Sequence, residues 1–223
     1  MRPNKPYAMA DLEGISAILD DALGRGGWTF HEIMSDEVHL DVLVYPPTER
    51  RPTYVLVTCG MSALPMPSPE GHSRFAELCI ELPPTWPLTI EAEALKDERN
   101  YWPIRLVKVL ARFPHHYHTW LGPGHTIPNG NPAAPYADST KLCCALLMPP
   151  MLLPEAIRKL PVPENLVPED SEEFAELLQI VPIHRYEMEH RLEYGLESLL
   201  ERLADNRVDP VVTPDRRDCC APQ

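Results

Sequence analysis

No segment of this 223-residue chain approaches the roughly 20 consecutive apolar residues that a membrane-spanning helix requires. Met1 to Ala10 carries Arg2 and Lys5, but no apolar stretch follows to make them a secretory leader. Membrane insertion and export are set aside, and the expected address is the cytoplasm. Cations are scarce as well: 20 Lys and Arg stand against 33 Asp and Glu, a formal charge of −13. Without clustered cations to neutralise phosphates, generic nucleic-acid binding is excluded. The acidity serves either solubility alone or attraction of a basic partner.

No C-x-x-C spacing occurs among the six cysteines, which are Cys59, Cys79 and the adjacent pairs Cys143–Cys144 and Cys219–Cys220. In a chain this long they read as reduced thiols, four in the core and two in the tail. No G-x-x-x-x-G-K-[ST] cradle is present, and Gly24, Gly26 and Gly27 follow a helix rather than opening one, so nucleotide binding has no support. No repeat, Gly/Ser linker or shift in composition divides the chain. With 44% hydrophobic residues it is long enough to bury a core of its own, and a single domain over 1–205 is expected.

Helical spacing of Leu12, Ile15, Leu19 and Leu23 behind Asp11 as N-cap predicts a first helix closed by Gly24. Trp28–Met34 and Val38–Tyr45 read as a hairpin, and Tyr54–Cys59 as a central strand. In Arg74–Leu82, Ala76, Leu78, Ile80 and Leu82 alternate with Glu77 and Glu81, which predicts one core face and one solvated face. Pro103 is placed in the first turn of a buried helix running to Phe113. Leu142–Met148 and Leu177–Ile183 are strands joined by a proline-rich crossover over Pro154–Asp170. From His184 the stripe Met188, Leu192, Leu196, Leu199, Leu203 predicts a closing helix. Asn206–Gln223, with three prolines and no periodicity, reads as a disordered tail. The fold class is α/β (α+β): a mixed, mostly antiparallel sheet packed with helices.

His115, His116, His118 and His125 crowd one span, Pro114–Pro132, but without i, i+4 ligand spacing, so no metal and no cofactor is expected. Gly122–Pro132 holds too many glycines and prolines for a plain linker and predicts a shaped loop, either a binding site or a cover for the core edge. His39 and Asp41, with His31 on the neighbouring run, offer a His–carboxylate pair for general-base work, and a hydrolase using that pair or the His115–His125 loop is the alternative reading. The nearest nucleophiles do not suit it. Ser62 lacks the G-x-S-x-G elbow, and Cys59 follows a strand with no helix N-terminus to activate it.

Asn100–Pro132, NYWPIRLVKVLARFPHHYHTWLGPGHTIPNGNP, resembles the central signature of the suppressor-of-fused family, a Tyr-Trp-Pro helix start followed by a Gly-His-x-x-Pro-Asn-Gly loop. HEIMSDEVHLDVLVYPPTE from His31, LVTCGMS from Leu56, ELCIELPPTWPL from Glu77 and LQIVPIHRYEMEHRLEYGLESLLERL from Leu178 resemble the same family in the same order. The resemblance spans about 32–203. It implies a non-enzymatic α/β domain that binds a protein: a sequestering regulator in animals, and in bacteria an immunity protein of toxin systems. The end of the chain soon after the last family helix points to the bacterial single-domain form, with a basic toxin as the candidate partner. On the matched motif, the partner-binding residues are Trp102, Gly124, His125, Pro128 and Asn129. Trp102 suits the core better than a contact, whereas His125 and Asn129 offer polar groups from a constrained loop.

Overall fold

Strand alternation sorts side chains to two faces, and in this protein both faces are covered. The computed structural model describes residues 9–25 (side chains from 14), 27–31, 39–88, 93–162, 166–168 and 171–222. Among these, the strands are β1 (Trp28–Phe30), β2 (Asp41–Tyr45), β3 (Tyr54–Cys59), β4 (Phe75–Leu82), β5 (Thr126–Pro128), β6 (Cys144–Met148), β7 (Lys159–Leu160) and β8 (Ala175–Ile183). They form one sheet in the order β1-β2-β3-β4-β8-β6-β5, with β7 also paired to β8. Every pairing is antiparallel except β4 with β8, which runs parallel from Phe75↔Ala175 to Cys79↔Gln179. The sheet is thus mixed and mostly antiparallel, as the sequence pattern predicts. The predicted hairpin is β1–β2; residues 32–38, which hold the end of the first predicted run, the turn and Val38, lie outside the described residues.

The helices are α1 (Met9–Leu23), α2 (Glu98–Tyr117) and α3 (Arg185–Asp205). Leu56, Leu78, Ile80, Leu147, Leu178 and Ile180 face α2, which meets them with Trp102, Ile104, Val107 and Leu110. On the opposite face, Ile15, Leu19 and Leu23 of α1 cover Val55, Val57, Phe75 and Leu177. Leu199 and Leu203 of α3 cover Cys144, Leu146, Val181 and Ile183 on that same face. Each fully buried Leu, Ile or Phe contributes about 1.5–3 kcal/mol, so these two layers supply the driving force. Arg51 fastens α1 to the turn between β2 and β3, donating from Nη2 to Leu23 O (3.1 Å) and Pro46 O (2.9 Å).

Burial of the second face corrects the prediction for β4. Glu77 and Glu81 are not solvated but 0% and 1% exposed. Glu77 accepts from Thr58 Oγ1 and Ser62 Oγ (both 2.7 Å) and from the amides of Gly60 and Ser62 (both 3.0 Å), capping the 3-10 turn Met61–Ala63. Glu81 accepts from Thr53 Oγ1 and Gln179 Nε2 (both 2.9 Å). Burial raises the pKa of both carboxyls, and these hydrogen bonds partly offset it. A polar residue at every second position looks the same in sequence whether water or protein satisfies it.

Three helix boundaries also differ. α1 begins at Met9, so Asp11 lies inside it. α2 begins at Glu98, with Asp97 accepting from Arg99 N (3.0 Å), and Pro103 sits a full turn inside. α3 breaks at Gly195, whose φ of 90° and ψ of 171° are not helical. The break takes Leu192 off the predicted stripe and leaves it 63% exposed, while Leu199 and Leu203 are buried.

The largest correction concerns the expected disordered tail, because 206–222 packs along the body. Where the β4–β8 ladder ends, Val211 forms a parallel bridge with Glu81, and Val212, 2% exposed, donates its amide to Glu81 O (2.9 Å). Thr140 Oγ1 donates to Pro214 O (2.6 Å). Arg216 grips the fully buried Glu187 of α3 with two 2.6 Å hydrogen bonds, and Cys219 N donates to the same carboxylate (3.0 Å). Cys219 and Cys220 are partly buried and pack with Cys143 and Cys144. Single anchors of this kind leave no periodicity to read.

Burial pushes the Glu187 pKa up, but the hydrogen bonds and charge of Arg216, with the amides of His184 and Cys219, outweigh it and hold it at about 2. A carboxyl depressed from about 4.5 stabilises the fold by about 3 kcal/mol above its unfolded pKa, and this is lost as pH falls towards 2. Glu187→Gln should flatten the stability profile between pH 4.5 and 2, measured by denaturant titration. Arg216→Ala, which leaves the charge buried and unpaired, should cost about 3–5 kcal/mol at neutral pH. An unchanged midpoint in Arg216→Ala would show that the tail is not fastened there.

Candidate functional site

The shaped loop begins where α2 ends. His118 closes that helix in the left-handed region (φ 49°), and Thr119 N donates to Pro114 O (3.0 Å). The chain then passes the half-buried Trp120 and reaches Gly124, at φ 81°. Gly124 N donates to Leu147 O (2.7 Å), and Leu147 N returns a hydrogen bond to His125 O (2.9 Å). Arg191 Nη2 of α3 donates to Gly124 O (2.9 Å). A Cβ on Gly124 would lie 2.8 Å from Leu196 Cδ2, a side-chain tip that can shift, so it is the backbone angle that requires glycine. β5 then pairs with β6, placing Thr126 opposite Leu146 and Pro128 opposite Cys144. The far end is closed by Asn129, whose amide donates to Cys143 O (2.8 Å) and whose Nδ2 donates to Ala134 O (2.7 Å) and Pro135 O (3.2 Å).

The five motif residues therefore fall into two groups. Trp102 is fully buried, stacked on Tyr136 (centroids 5.1 Å apart, 4° between planes) and edge-on to Trp86 at 5.9 Å. Gly124 is buried, and the Asn129 side chain is spent inside its own loop. Only His125 and Pro128 present side chains outward. The His125 ring meets Trp120 edge-on at 4.4 Å, and Trp120 meets the exposed His72 at 4.5 Å. Burial, then Arg191 and His72, lowers the His125 pKa, so the imidazole is neutral at physiological pH. Sequence reasoning missed His72 and Arg191, which reach the loop from distant parts of the chain; no local spacing signals them.

The other histidines do not converge on a ligand. His115 contacts Met61 O (3.2 Å), and His116 lies edge-on to Tyr117 (4.7 Å). Among the described residues, no group of three His, Cys, Asp or Glu is arranged to hold a metal ion. The general-base grouping does assemble: Asp41 lies 3.0 Å from His31 Nδ1 and 3.4 Å from His39 Nε2. Among the described residues, neither nucleophile candidate is presented beside it. Ser62 is fully buried and donates to Glu77, while burial, then the charges of Glu77 and Asp41, pushes the Cys59 thiol far up.

The model of the Suppressor of fused protein (SUFU) family matches residues 36–217, most of the chain. The chain belongs to the SUFU family. The match runs past α3 and takes in Arg216, so the packed tail segment lies within the family region as far as residue 217. Among solved structures, a SUFU homologue from Neisseria gonorrhoeae superposes with a TM-score of 0.68 at 14% identity, over 97% of this chain and 100% of that one. A chain of the Sufu–Fu complex gives 0.61 at 16% identity, over 96% and 92%. Drosophila Suppressor of Fused gives 0.61 at 16%, over 98% of this chain but 54% of that longer one. At such identities these likenesses establish the SUFU fold. No curated protein matches the chain.

If the SUFU loop is held as described, Gly124→Ala should destabilise the protein by about 1–3 kcal/mol through backbone strain. Asn129→Ala should cost about 1–2 kcal/mol through lost loop-closing hydrogen bonds. His125→Ala should change the denaturant midpoint little. A His125→Ala loss as large as that of Gly124→Ala would mean that the ring holds the fold rather than faces a partner.

Proposed function

We propose that this protein is a non-enzymatic binding module of the cytoplasm that holds a protein partner against the surface formed by Trp120, His125, Pro128 and His72. The observation that carries this reading is the fastening of the loop. Gly124, Asn129 and Arg191 are consumed in fixing its backbone, while a His–Trp–His cluster, edge-on at His125 and tilted at His72, is left at the surface. A rigid, partly apolar patch with polar tips loses little entropy on docking. The Sufu–Fu relative is a protein complex, and a bacterial SUFU homologue aligns over its whole length. Both support a bacterial regulatory or immunity role in which a protein, such as a basic toxin, is sequestered. The net charge of −13 suits a basic partner by accelerating encounter and rejecting acidic ones.

A second reading, hydrolysis using His39 and Asp41, is favoured by the convergence of His31 and His39 on one carboxylate. The two readings separate experimentally. Tagged protein is used to capture its partner from native cytoplasm, with Trp120→Ala/His125→Ala and His39→Ala run in parallel. The binding reading expects the loop variant to lose most of the co-purifying protein with an unchanged melting temperature, and His39→Ala to retain it. Capture unaffected by the loop variant would remove this surface from consideration. Turnover of an ester, amide or phosphoester that vanishes in His39→Ala would establish the hydrolase instead.

A further inference from the structure

Ahead of its break, α3 carries Tyr186, His190 and Tyr194 at i, i+4 and i+8, one above the other on a single face. Tyr186 is 43% and Tyr194 60% exposed, unusual for aromatic rings with a hydrophobic layer available beneath the same helix. The row is also held in place. The rings of His190 and Tyr194 lie 4.7 Å apart, and His190 Nε2 meets Ser198 Oγ at 2.9 Å, spanning the non-helical Gly195 and fixing one half of the helix against the other. Helical spacing sets Glu189 and Glu193 beside the rings, at i+3 and i+7 from Tyr186. Glu189 accepts from Arg185 (2.7 Å), and the exposed Glu193 accepts a hydrogen bond from the Tyr194 hydroxyl.

Aromatic faces alternating with carboxylates on a rigid rod suit one kind of ligand. A guanidinium stacks on a ring through its plane and forks onto a carboxylate through its edge, whereas an ammonium does neither as well. We infer that this stripe of α3 is a docking surface for an arginine-rich segment of a protein partner. The inference rests on the binding-module reading and names the partner chemistry, but it uses a surface different from the histidine loop. Arg191, on the same helix, reaches inward to Gly124 O, whereas Arg185 occupies Glu189 and Arg202 lies near Tyr194, so an incoming guanidinium competes with both.

The test is calorimetric titration of the intact protein at physiological salt with a short arginine homopeptide and with the lysine homopeptide of equal length. The arginine peptide should bind several-fold more tightly. Tyr186→Leu/Tyr194→Leu keeps the apolar bulk but removes the π faces, and should weaken arginine-peptide binding about tenfold, bringing it level with lysine. Glu193→Gln should weaken both peptides. Equal affinity for the two peptides, or arginine binding undiminished in the leucine variant with its melting temperature intact, would falsify the inference and leave only attraction to net charge. The Trp120→Ala/His125→Ala variant should bind the arginine peptide normally. If that variant fails in partner capture while the wild type ignores the arginine peptide, the loop reading stands and the α3 stripe falls.

Discussion

Parallel pairing of β4 with β8 obliges the chain between them to leave the sheet and return in the same direction. Phe75 lies opposite Ala175, so the connection contains α2, the histidine loop and the β5–β6 pair. All of these are positioned by that one ladder. It is clamped at its start, where Arg74 forms two hydrogen bonds with Glu173 (2.7 and 2.6 Å) and Ser73 Oγ donates to Phe174 O (2.8 Å). Beyond Cys79↔Gln179 the two strands part, and the opening is taken by Val211 at Glu81. The C-terminal segment thus completes the sheet at the point where its central pairing stops.

Covering both faces of the sheet buries Glu77 and Glu81 on its central strand. A buried carboxylate costs several kcal/mol unless its lone pairs are met. Here the donors come from the turn after β3, from Thr53 before it and from Gln179 on β8, so the acids tie three strands together. The Glu187–Arg216 pair works by the same rule with the opposite sign of pKa shift, because a full positive charge, rather than neutral donors, faces the carboxylate. The core is therefore specified by polar satisfaction as well as by apolar area.

The surface follows from this frame. β6 and α3 hold the histidine loop by its backbone, and the His125 and Pro128 side chains are left facing outward. The Gly195 break lets Leu196 reach Gly124 while the preceding turns of α3 project Tyr186 and Tyr194 outward.

The sequence by itself determined the longer helices and strands and the mixed sheet they form, because period-2 and period-3.6 patterns are local properties of burial, but not the short β5 and β7, which lie in segments read as a loop and a crossover. The Gly-His-x-x-Pro-Asn-Gly motif likewise marked the shaped loop that the structure contains. Only the tertiary structure decided which partners surround each residue. Glu77 and Glu81 read as solvated because spacing does not reveal whether a second layer covers the strand. Asn206–Gln223 read as a disordered tail because its anchors, Val212, Pro214 and Arg216, are aperiodic and their partners lie in β4, ahead of β6 and on α3. Asn129 read as a contact residue, yet its amide is spent within its loop, while His72 and Arg191, distant along the chain, complete the surface around His125. Local free-energy preferences are written residue by residue, whereas the satisfaction of buried polar groups is a property of the assembled chain.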